Sequence, residues 1–181
     1  LANGLLATLN ARDEVIVPAP YWTSYADIIG FCQASLVPIP CTAQTDFKLT
    51  PEDLAAAITP HTKWLMLNSP GNPSGALYNR QEIAGLADVL RKHPNVWLLA
   101  DEIYQHISYD TFTSFLEVAP DLIERMLIVN GVSKAYAMTG WRLGWGIGSK
   151  PLIDAMVGIQ GLTTSGASSI SQAAALAALT G

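Results

Sequence analysis

The sequence predicts an α/β fold, in which a mostly parallel β-sheet carries helices on both faces. Short apolar runs alternate along the chain with segments of helical period, which is the order typical of successive strand–helix units. The apolar runs are continuous and do not alternate with polar residues, which is typical of strands buried on both faces of a sheet. The pattern extends over residues 1–181 without an internal repeat or a linker. We therefore expect one domain.

Six apolar runs are predicted to be strands: residues 15–17, 35–40, 63–67, 96–100, 126–129 and 143–147. Pro18 and Pro20 close the first run. Pro38 stands inside the second run and weakens it as an interior strand, because proline has no N–H to donate to a neighbouring strand. The remaining runs contain no proline.

Three helices are predicted between the strands. Thr50 is a suitable N-cap before Pro51 in a first helical turn. Asn79 precedes a second helix, which we expect to run to about Lys92 before a His-Pro pair ends it. A third helix is expected over residues 24–32, directly after the first strand.

The two ends of the chain also have helical character, over residues 1–6 and 171–179. The chain starts without Met, lacks the basic segment of a signal peptide, and stops within an Ala-rich stretch. We expect a fragment of a longer protein, truncated at both ends. Cys32 and Cys41 follow no metal-ligand spacing, so we interpret them as reduced thiols of a cytoplasmic protein.

The composition narrows the classes of function. Half of the 181 residues are hydrophobic and only 14% are charged, which indicates a well-buried globular chain. The net charge is −5 and no run of Lys or Arg is present. This balance argues against a nucleic-acid-binding or anionic-membrane surface. No apolar run is long enough to cross a bilayer.

Polar side chains follow four of the predicted strands at the same end of each strand. In open α/β sheets, ligands bind beyond the carboxyl ends of the strands. We therefore predict a ligand site at this edge, formed by Trp22 after the first strand, Asn72 after the third, Asp101 and Tyr104 after the fourth, and Ser133 and Lys134 after the fifth.

Lys134 is the most informative of these residues. It follows Ser133 on a short loop, and Arg142 comes eight residues later. An amine beside an anion-binding pair is what an aldehyde cofactor with a phosphate group requires: Lys134 would form a Schiff base, and Ser133 and Arg142 would hold the phosphate. The alternative is an ordinary surface loop with a solvated lysine and arginine.

Asp101 directly follows four apolar residues, at a depth where an unpaired carboxylate is costly. A protonated pyridine nitrogen would be a suitable partner, and the carboxylate would keep that nitrogen protonated. Tyr104 and Asn72 could reach a ring hydroxyl, and Trp22 could stack on the ring. The alternatives are a helix-capping aspartate, a tyrosine on a helix side, a turn asparagine and a packing tryptophan.

Four segments together resemble the class I aminotransferases, the fold-type I pyridoxal-phosphate enzymes, and most of all their aspartate aminotransferase branch. They are residues 18–25 (Pro-Ala-Pro-Tyr-Trp-Thr-Ser-Tyr), 68–75 (Asn-Ser-Pro-Gly-Asn-Pro-Ser-Gly), 101–104 (Asp-Glu-Ile-Tyr) and the lysine segment 131–144. They occur in the family's order and at its usual separations across nearly the whole chain.

The resemblance implies the large cofactor-binding domain of that family, with a mixed sheet whose last strand is antiparallel. It gives the seven residues above the roles already argued, with pyridoxal 5'-phosphate as the cofactor. Lys134 would also move the proton at the substrate Cα. The implied reaction exchanges an amino group between an amino acid, with aspartate as the best guess, and a 2-oxo acid such as 2-oxoglutarate. The implied protein is a homodimer.

The sequence also departs from the family. Gly131 stands where some relatives carry a phosphate-binding serine, three residues before the lysine. The family's glycine-rich phosphate turn, its substrate-carboxylate arginine and a tyrosine from the neighbouring subunit fall outside this chain. Three alternatives stay open: a pyridoxal-phosphate-dependent lyase, an aromatic amino acid or prephenate aminotransferase, and a non-catalytic cofactor-sensing module of a transcription regulator.

Overall fold

The computed structural model describes residues 1–181 and contains one six-stranded sheet in the order β2-β1-β3-β4-β5-β6. Every neighbouring pair is parallel except β5 and β6, which are antiparallel. The strands are β1 (Glu14–Ala19), β2 (Ser35–Pro40), β3 (Thr62–Asn68), β4 (Trp97–Asp101), β5 (Met126–Gly131) and β6 (Gly144–Gly148). The predicted α/β class, with a mostly parallel mixed sheet, is confirmed.

Seven α-helices surround the sheet: α1 (Ala2–Thr8), α2 (Ser24–Phe31), α3 (Pro51–Ala57), α4 (Arg80–Lys92), α5 (Phe115–Val118), α6 (Lys150–Thr163) and α7 (Ser169–Thr180). Thr50 caps α3 by accepting the N–H of Asp53, as predicted. Asn79 and Glu82 form a reciprocal capping box at the start of α4. α6 was not predicted, because Gly158 and Gly161 lower its intrinsic helix propensity.

The sheet is buried on both faces, because its central strands send alternate side chains into two separate apolar clusters. On β3, Leu65 and Leu67 join the cluster beneath α3, α4 and α5. Trp64 and Met66 join the cluster beneath α1, α2 and α6. These four side chains are no more than 4% exposed, so helices on both faces are confirmed.

The edge position of β2 explains how the sheet accommodates Pro38 and Pro40. A proline is tolerated on an edge strand where its nitrogen faces away from the neighbouring strand, because no hydrogen bond of the sheet is then lost. At the opposite edge, β6 contains Gly144, Gly146 and Gly148 and returns antiparallel beside β5. None of the helices is both long and apolar enough to span a membrane.

Candidate functional site

Asp101 is the last residue of β4, between β3 and β5, and is 8% exposed. Its Oδ2 accepts the hydroxyl of Tyr25 at 2.6 Å, and its Oδ1 accepts the backbone N–H of Ile103 at 3.3 Å. None of the ion pairs in the structure includes it. Burial raises the pKa of the Asp101 carboxyl above its ordinary value, although the hydrogen bond from Tyr25 opposes that rise. The Asp101 carboxylate is therefore shielded from solvent, and both groups that donate hydrogen bonds to it are uncharged.

The neighbouring carboxylate, Glu102, has a structural task. It is 5% exposed, and its Oε1 accepts the hydroxyl of Ser114 at 2.9 Å and the N–H of Phe115 at 3.0 Å. Glu102 therefore holds the start of α5. Asp101 does not cap a helix, because the short helix that follows it, at Gln105–Ile107, has no side-chain cap. The capping role considered for Asp101 belongs to Glu102, which binds the start of α5.

Asn72 and Tyr104 lie together although 32 residues separate them, and the Nδ2 of Asn72 is 3.5 Å from the Tyr104 hydroxyl oxygen. Asn68 fixes this arrangement from the end of β3. Its Oδ1 accepts the N–H of Asn72 at 2.7 Å, and its Nδ2 donates to the carbonyl oxygen of Asp101 at 2.9 Å. The loop that carries Asn72 is thereby joined to the strand end that carries Asp101.

Lys134 lies on the turn after β5, and its side chain is exposed. The turn is closed by N–H bonds from Tyr136 and Met138 to the carbonyl of Val132. The Lys134 Nζ lies 5.9 Å from the centroid of the Tyr104 ring and makes no hydrogen bond or ion pair within the chain. The amine therefore stands beside the Asn72–Tyr104 pair, at the edge of the sheet where the sequence placed it.

Ser133 and Arg142, the predicted phosphate ligands, both lie near this edge but do not contact each other through a hydrogen bond. Ser133 is partly buried directly before Lys134. Arg142 is exposed, adopts a left-handed backbone with φ of 53°, and donates from Nη1 to the Thr139 carbonyl at 2.8 Å. It precedes β6, whose antiparallel pairing with β5 returns the chain toward Ser133.

Trp22 joins the group through Tyr25. Its ring is 43% exposed, and the two ring centroids are 5.5 Å apart with an interplanar angle of 83°. An edge-to-face pair of this kind fixes the orientation of both rings. Trp22 therefore remains partly accessible to a ligand.

Tyr25 and Asn68 are the two residues of the site that were not assigned a role from the sequence. Both stand inside segments that carried the family resemblance. Tyr25 contacts Asp101 across 76 positions of the chain, so only the strand order brings them together. Asn68 is the last residue of an apolar strand, as Asp101 is, and this shared position in the sequence could have indicated that Asn68 belongs to the site.

Two clefts adjoin the Asn72 loop. One lies between β1, β3 and the loop, and Tyr25, Asn68 and Tyr78 contribute to its lining. The other, of about 360 Å³, separates the loop from residues 104–110. Asn72 borders both clefts, whereas Lys134 and Asp101 line neither.

A family model described as aminotransferase class I and II matches residues 2–181. The aspartate aminotransferase of Rhizobium meliloti is 52% identical over 183 residues, which cover 100% of this chain and 45% of that protein. An aspartate/prephenate aminotransferase of Cereibacter sphaeroides is also 52% identical, over 100% of this chain and 46% of its own length. The crystal structure of the Rhizobium meliloti aspartate aminotransferase superposes with a TM-score of 0.98 at 53% identity, covering 99% of this chain and 46% of that one. The chain spans about half the length of these relatives.

Proposed function

The chain belongs to the class I and II aminotransferases, and from this membership we propose that the whole protein transfers an amino group from an amino acid to a 2-oxo acid. The proposed cofactor is pyridoxal 5'-phosphate, and residues 1–181 would form its large cofactor-binding domain. A cytoplasmic location stays a prediction from the sequence. The single observation that carries the proposal is the gathering of Asp101, Asn72, Tyr104 and Lys134 at one edge of the sheet.

The residues present fit this cofactor. Asp101 is a buried carboxylate without a cationic partner, and a protonated pyridine nitrogen would supply one. Asn72 and Tyr104 offer adjacent polar groups to a ring hydroxyl. When bound, the cofactor supplies an aldehyde that combines with amines and a protonated ring that withdraws electrons from the substrate Cα.

Each side chain then has a definite task. Lys134 would supply the amine that holds the cofactor and, after substrate arrives, would take the proton from the substrate Cα and return it. Asp101 would hold the proton on the ring nitrogen. Asn72 and Tyr104 would bind the ring hydroxyl, and Trp22 would pack against the ring.

The phosphate would be bound by Ser133 and Arg142. The Ser133 hydroxyl can donate one hydrogen bond, and the Arg142 guanidinium can donate two parallel ones while balancing the charge. Both side chains adjoin the Lys134 turn, so they would fix the cofactor on the same side as its covalent attachment. Groups outside this chain would complete the phosphate site.

We propose aspartate as the amino donor and 2-oxoglutarate as the acceptor, because the Rhizobium meliloti relative is named an aspartate aminotransferase. The name of the Cereibacter sphaeroides relative supports prephenate as a second acceptor. Oxo-acid formation from aspartate, measured with 2-oxoglutarate and with prephenate in the full-length protein, separates the two. Release of pyruvate and ammonia from an amino acid that carries a leaving group on Cβ, without an acceptor, would support a lyase instead.

We also propose that the whole protein is a homodimer. Apolar side chains are exposed along β6, α6 and α7, namely Trp145, Ile147, Val157, Leu162, Ile170, Leu176 and Leu179. Leu162 is 88% exposed and Ile170 is 71% exposed in residues 1–181, so in the whole protein these side chains are expected to be buried against the remainder of the chain or against a second subunit. Sedimentation analysis of the full-length protein tests the proposal, since a purely monomeric protein would contradict it.

The first experiment is to add pyridoxal phosphate to the full-length protein, reduce it with borohydride and locate the labelled peptide by mass spectrometry. A single label on Lys134 is expected. Lys150→Ala is the matched control, because the Lys150 side chain is 83% exposed and pairs only with Asp154. Lys134→Ala should lose the label while Lys150→Ala keeps it. Labels scattered over Lys48, Lys63, Lys92 and Lys150 would contradict a specific site.

A further inference from the structure

Tyr25 donates a buried hydrogen bond to Asp101 from a helix, whereas Asp101 lies in the sheet. Tyr25 is the second residue of α2 and is 2% exposed. Its hydroxyl reaches over the carboxyl end of the sheet to Asp101 Oδ2 at 2.6 Å. The Trp22 ring packs edge-on against it, and the Tyr25 N–H donates to the Trp22 carbonyl at 3.0 Å. The turn at the start of α2 thus holds both the ring of Trp22 and the donor to Asp101.

The hydroxyl of Tyr25 is a permanent donor. Burial and the neighbouring Asp101 carboxylate raise the pKa of the Tyr25 hydroxyl far above its ordinary value, so the group stays neutral throughout the physiological range. The other titratable side chains that act on this pair are Tyr104 and Glu102. Only Tyr25 donates a side-chain hydrogen bond to Asp101.

We propose that Tyr25 is a positioning residue that keeps Asp101 ionised and oriented toward the ring nitrogen of the cofactor. The inference rests on the proposed function and assigns a task to a residue outside the ligand set. A carboxylate and a pyridine nitrogen that share one proton form either an ion pair or a neutral pair. A hydrogen bond donated to the carboxylate stabilises its anionic form and therefore favours the ion pair. Tyr25 would thus keep the proton on the ring nitrogen.

The matched variants are Tyr25→Phe and Tyr78→Phe. Tyr78 is also 2% exposed, and its hydroxyl oxygen accepts the Leu49 N–H at 2.7 Å, so both changes remove one buried phenolic hydroxyl. In the full-length protein without cofactor, the carboxyl pKa of Asp101, followed by ¹³C NMR and assigned with Asp101→Asn, should rise in Tyr25→Phe. It should stay at its wild-type value in Tyr78→Phe.

With cofactor labelled by ¹⁵N at the ring nitrogen, Tyr25→Phe should move the nitrogen resonance toward its unprotonated position. The kcat should fall by about tenfold with KM unchanged, because hydrogen bonds to charged groups are worth about that factor and Tyr25 does not reach the substrate. Wild-type carboxyl pKa, nitrogen shift and kcat in Tyr25→Phe would overturn the inference.

A second variant keeps the test decisive if Tyr25→Phe does not fold. Replacement of Tyr25 by 3-fluorotyrosine retains the hydroxyl and makes it a stronger donor, so the Asp101 carboxyl pKa should fall, opposite to the effect of phenylalanine. An unchanged or higher value would contradict the inference. Borohydride labelling of wild type on Lys134 is performed first: its absence would reject the cofactor proposal, whereas its presence with unaltered Tyr25 variants would reject the role of Tyr25 alone.

Discussion

Gly131 lies opposite Gly144 across the antiparallel pair of β5 and β6, so closely that a Cβ on Gly131 would stand 3.0 Å from the Gly144 Cα. The same Cβ would stand 2.8 Å from the carbonyl oxygen of Leu143 and 3.3 Å from Cδ1 of Ile103. Two of these three neighbours are backbone atoms, which cannot move aside as a flexible side chain does. Gly131, which stands where some relatives are expected to carry a phosphate-binding serine, therefore matches a close approach of two strands.

Gly131→Ser is expected to destabilise the protein and not to add a phosphate ligand. The inserted side chain would separate β5 from β6 and should lower the free energy of unfolding by about 1–3 kcal/mol, the usual range for overpacking. Urea unfolding of the full-length protein measures the change. Gly30→Ser is the control, because Gly30 is exposed on α2 with nothing within 4 Å of an added Cβ. Equal stability of the two variants would refute the steric argument.

Asn68→Ala should disconnect the Asn72 loop from the end of β4. The substitution removes one bond to the Asn72 N–H and one to the Asp101 carbonyl, and at about 1 kcal/mol for each bond the melting temperature should fall by several degrees. Cofactor affinity should fall with it, because Asn72 loses its anchor. Asn68→Asp keeps the acceptor for the Asn72 N–H but places a charged oxygen against the Asp101 carbonyl oxygen, so it should hold the loop and still weaken the link to β4. Wild-type affinity in Asn68→Ala would show that the loop holds its position without this link.

Much of the fold could be predicted because its determinants are local. The continuous apolar strands, the Thr50 and Asn79 caps and the edge strand marked by Pro38 all appear as short patterns in the sequence. The partners of Asp101 could not be predicted in the same way. Tyr25 reaches Asp101 only because β1, β3 and β4 are adjacent, and no local pattern encodes that order.

Candidate site residues could be named from the sequence for a related reason. Six of the seven predicted side chains lie at the carboxyl end of a strand or in the loop that follows it, whereas Arg142 precedes β6. The carboxyl ends of parallel strands meet at one edge. Residues such as Asn68, which act by holding another loop, leave no chemical signature of their own. Their assignment required the hydrogen-bond partners that the structure supplies.

Glu102→Gln should make stability less dependent on pH. Burial raises the pKa of the Glu102 carboxyl above its ordinary value of 4.5, so the folded state binds the proton more tightly than the unfolded state. The free energy of unfolding of the wild type therefore decreases as the pH rises from the ordinary carboxyl pKa through the higher pKa of the folded state. Glutamine keeps the Oε1 acceptor for Ser114 and Phe115 without the buried charge.

The measurement for Glu102 is urea unfolding of both proteins between pH 4 and pH 8. Glu102→Gln should match the wild type at the acidic end and exceed its stability increasingly as the pH rises. Glu102→Ala serves as the contrast, because it removes the acceptor and should be less stable at every pH. A glutamine variant that loses stability as steeply with pH as the wild type would show that another group is responsible.

Asp101→Asn should separate catalysis from cofactor binding. Asparagine has nearly the same shape and its Oδ1 can still accept the Ile103 N–H, but it carries no charge to keep a ring nitrogen protonated. The kcat should fall by about a hundredfold or more, as expected when a preorganised electrostatic partner is removed, while the cofactor Kd changes much less because the other contacts remain. Asp27→Asn, the same chemical change at an exposed position of α2, should leave both quantities unaltered. Full turnover in Asp101→Asn would reject the electrostatic role of this carboxylate, and loss of cofactor binding with normal turnover of the bound fraction would make Asp101 an anchor for the ring instead.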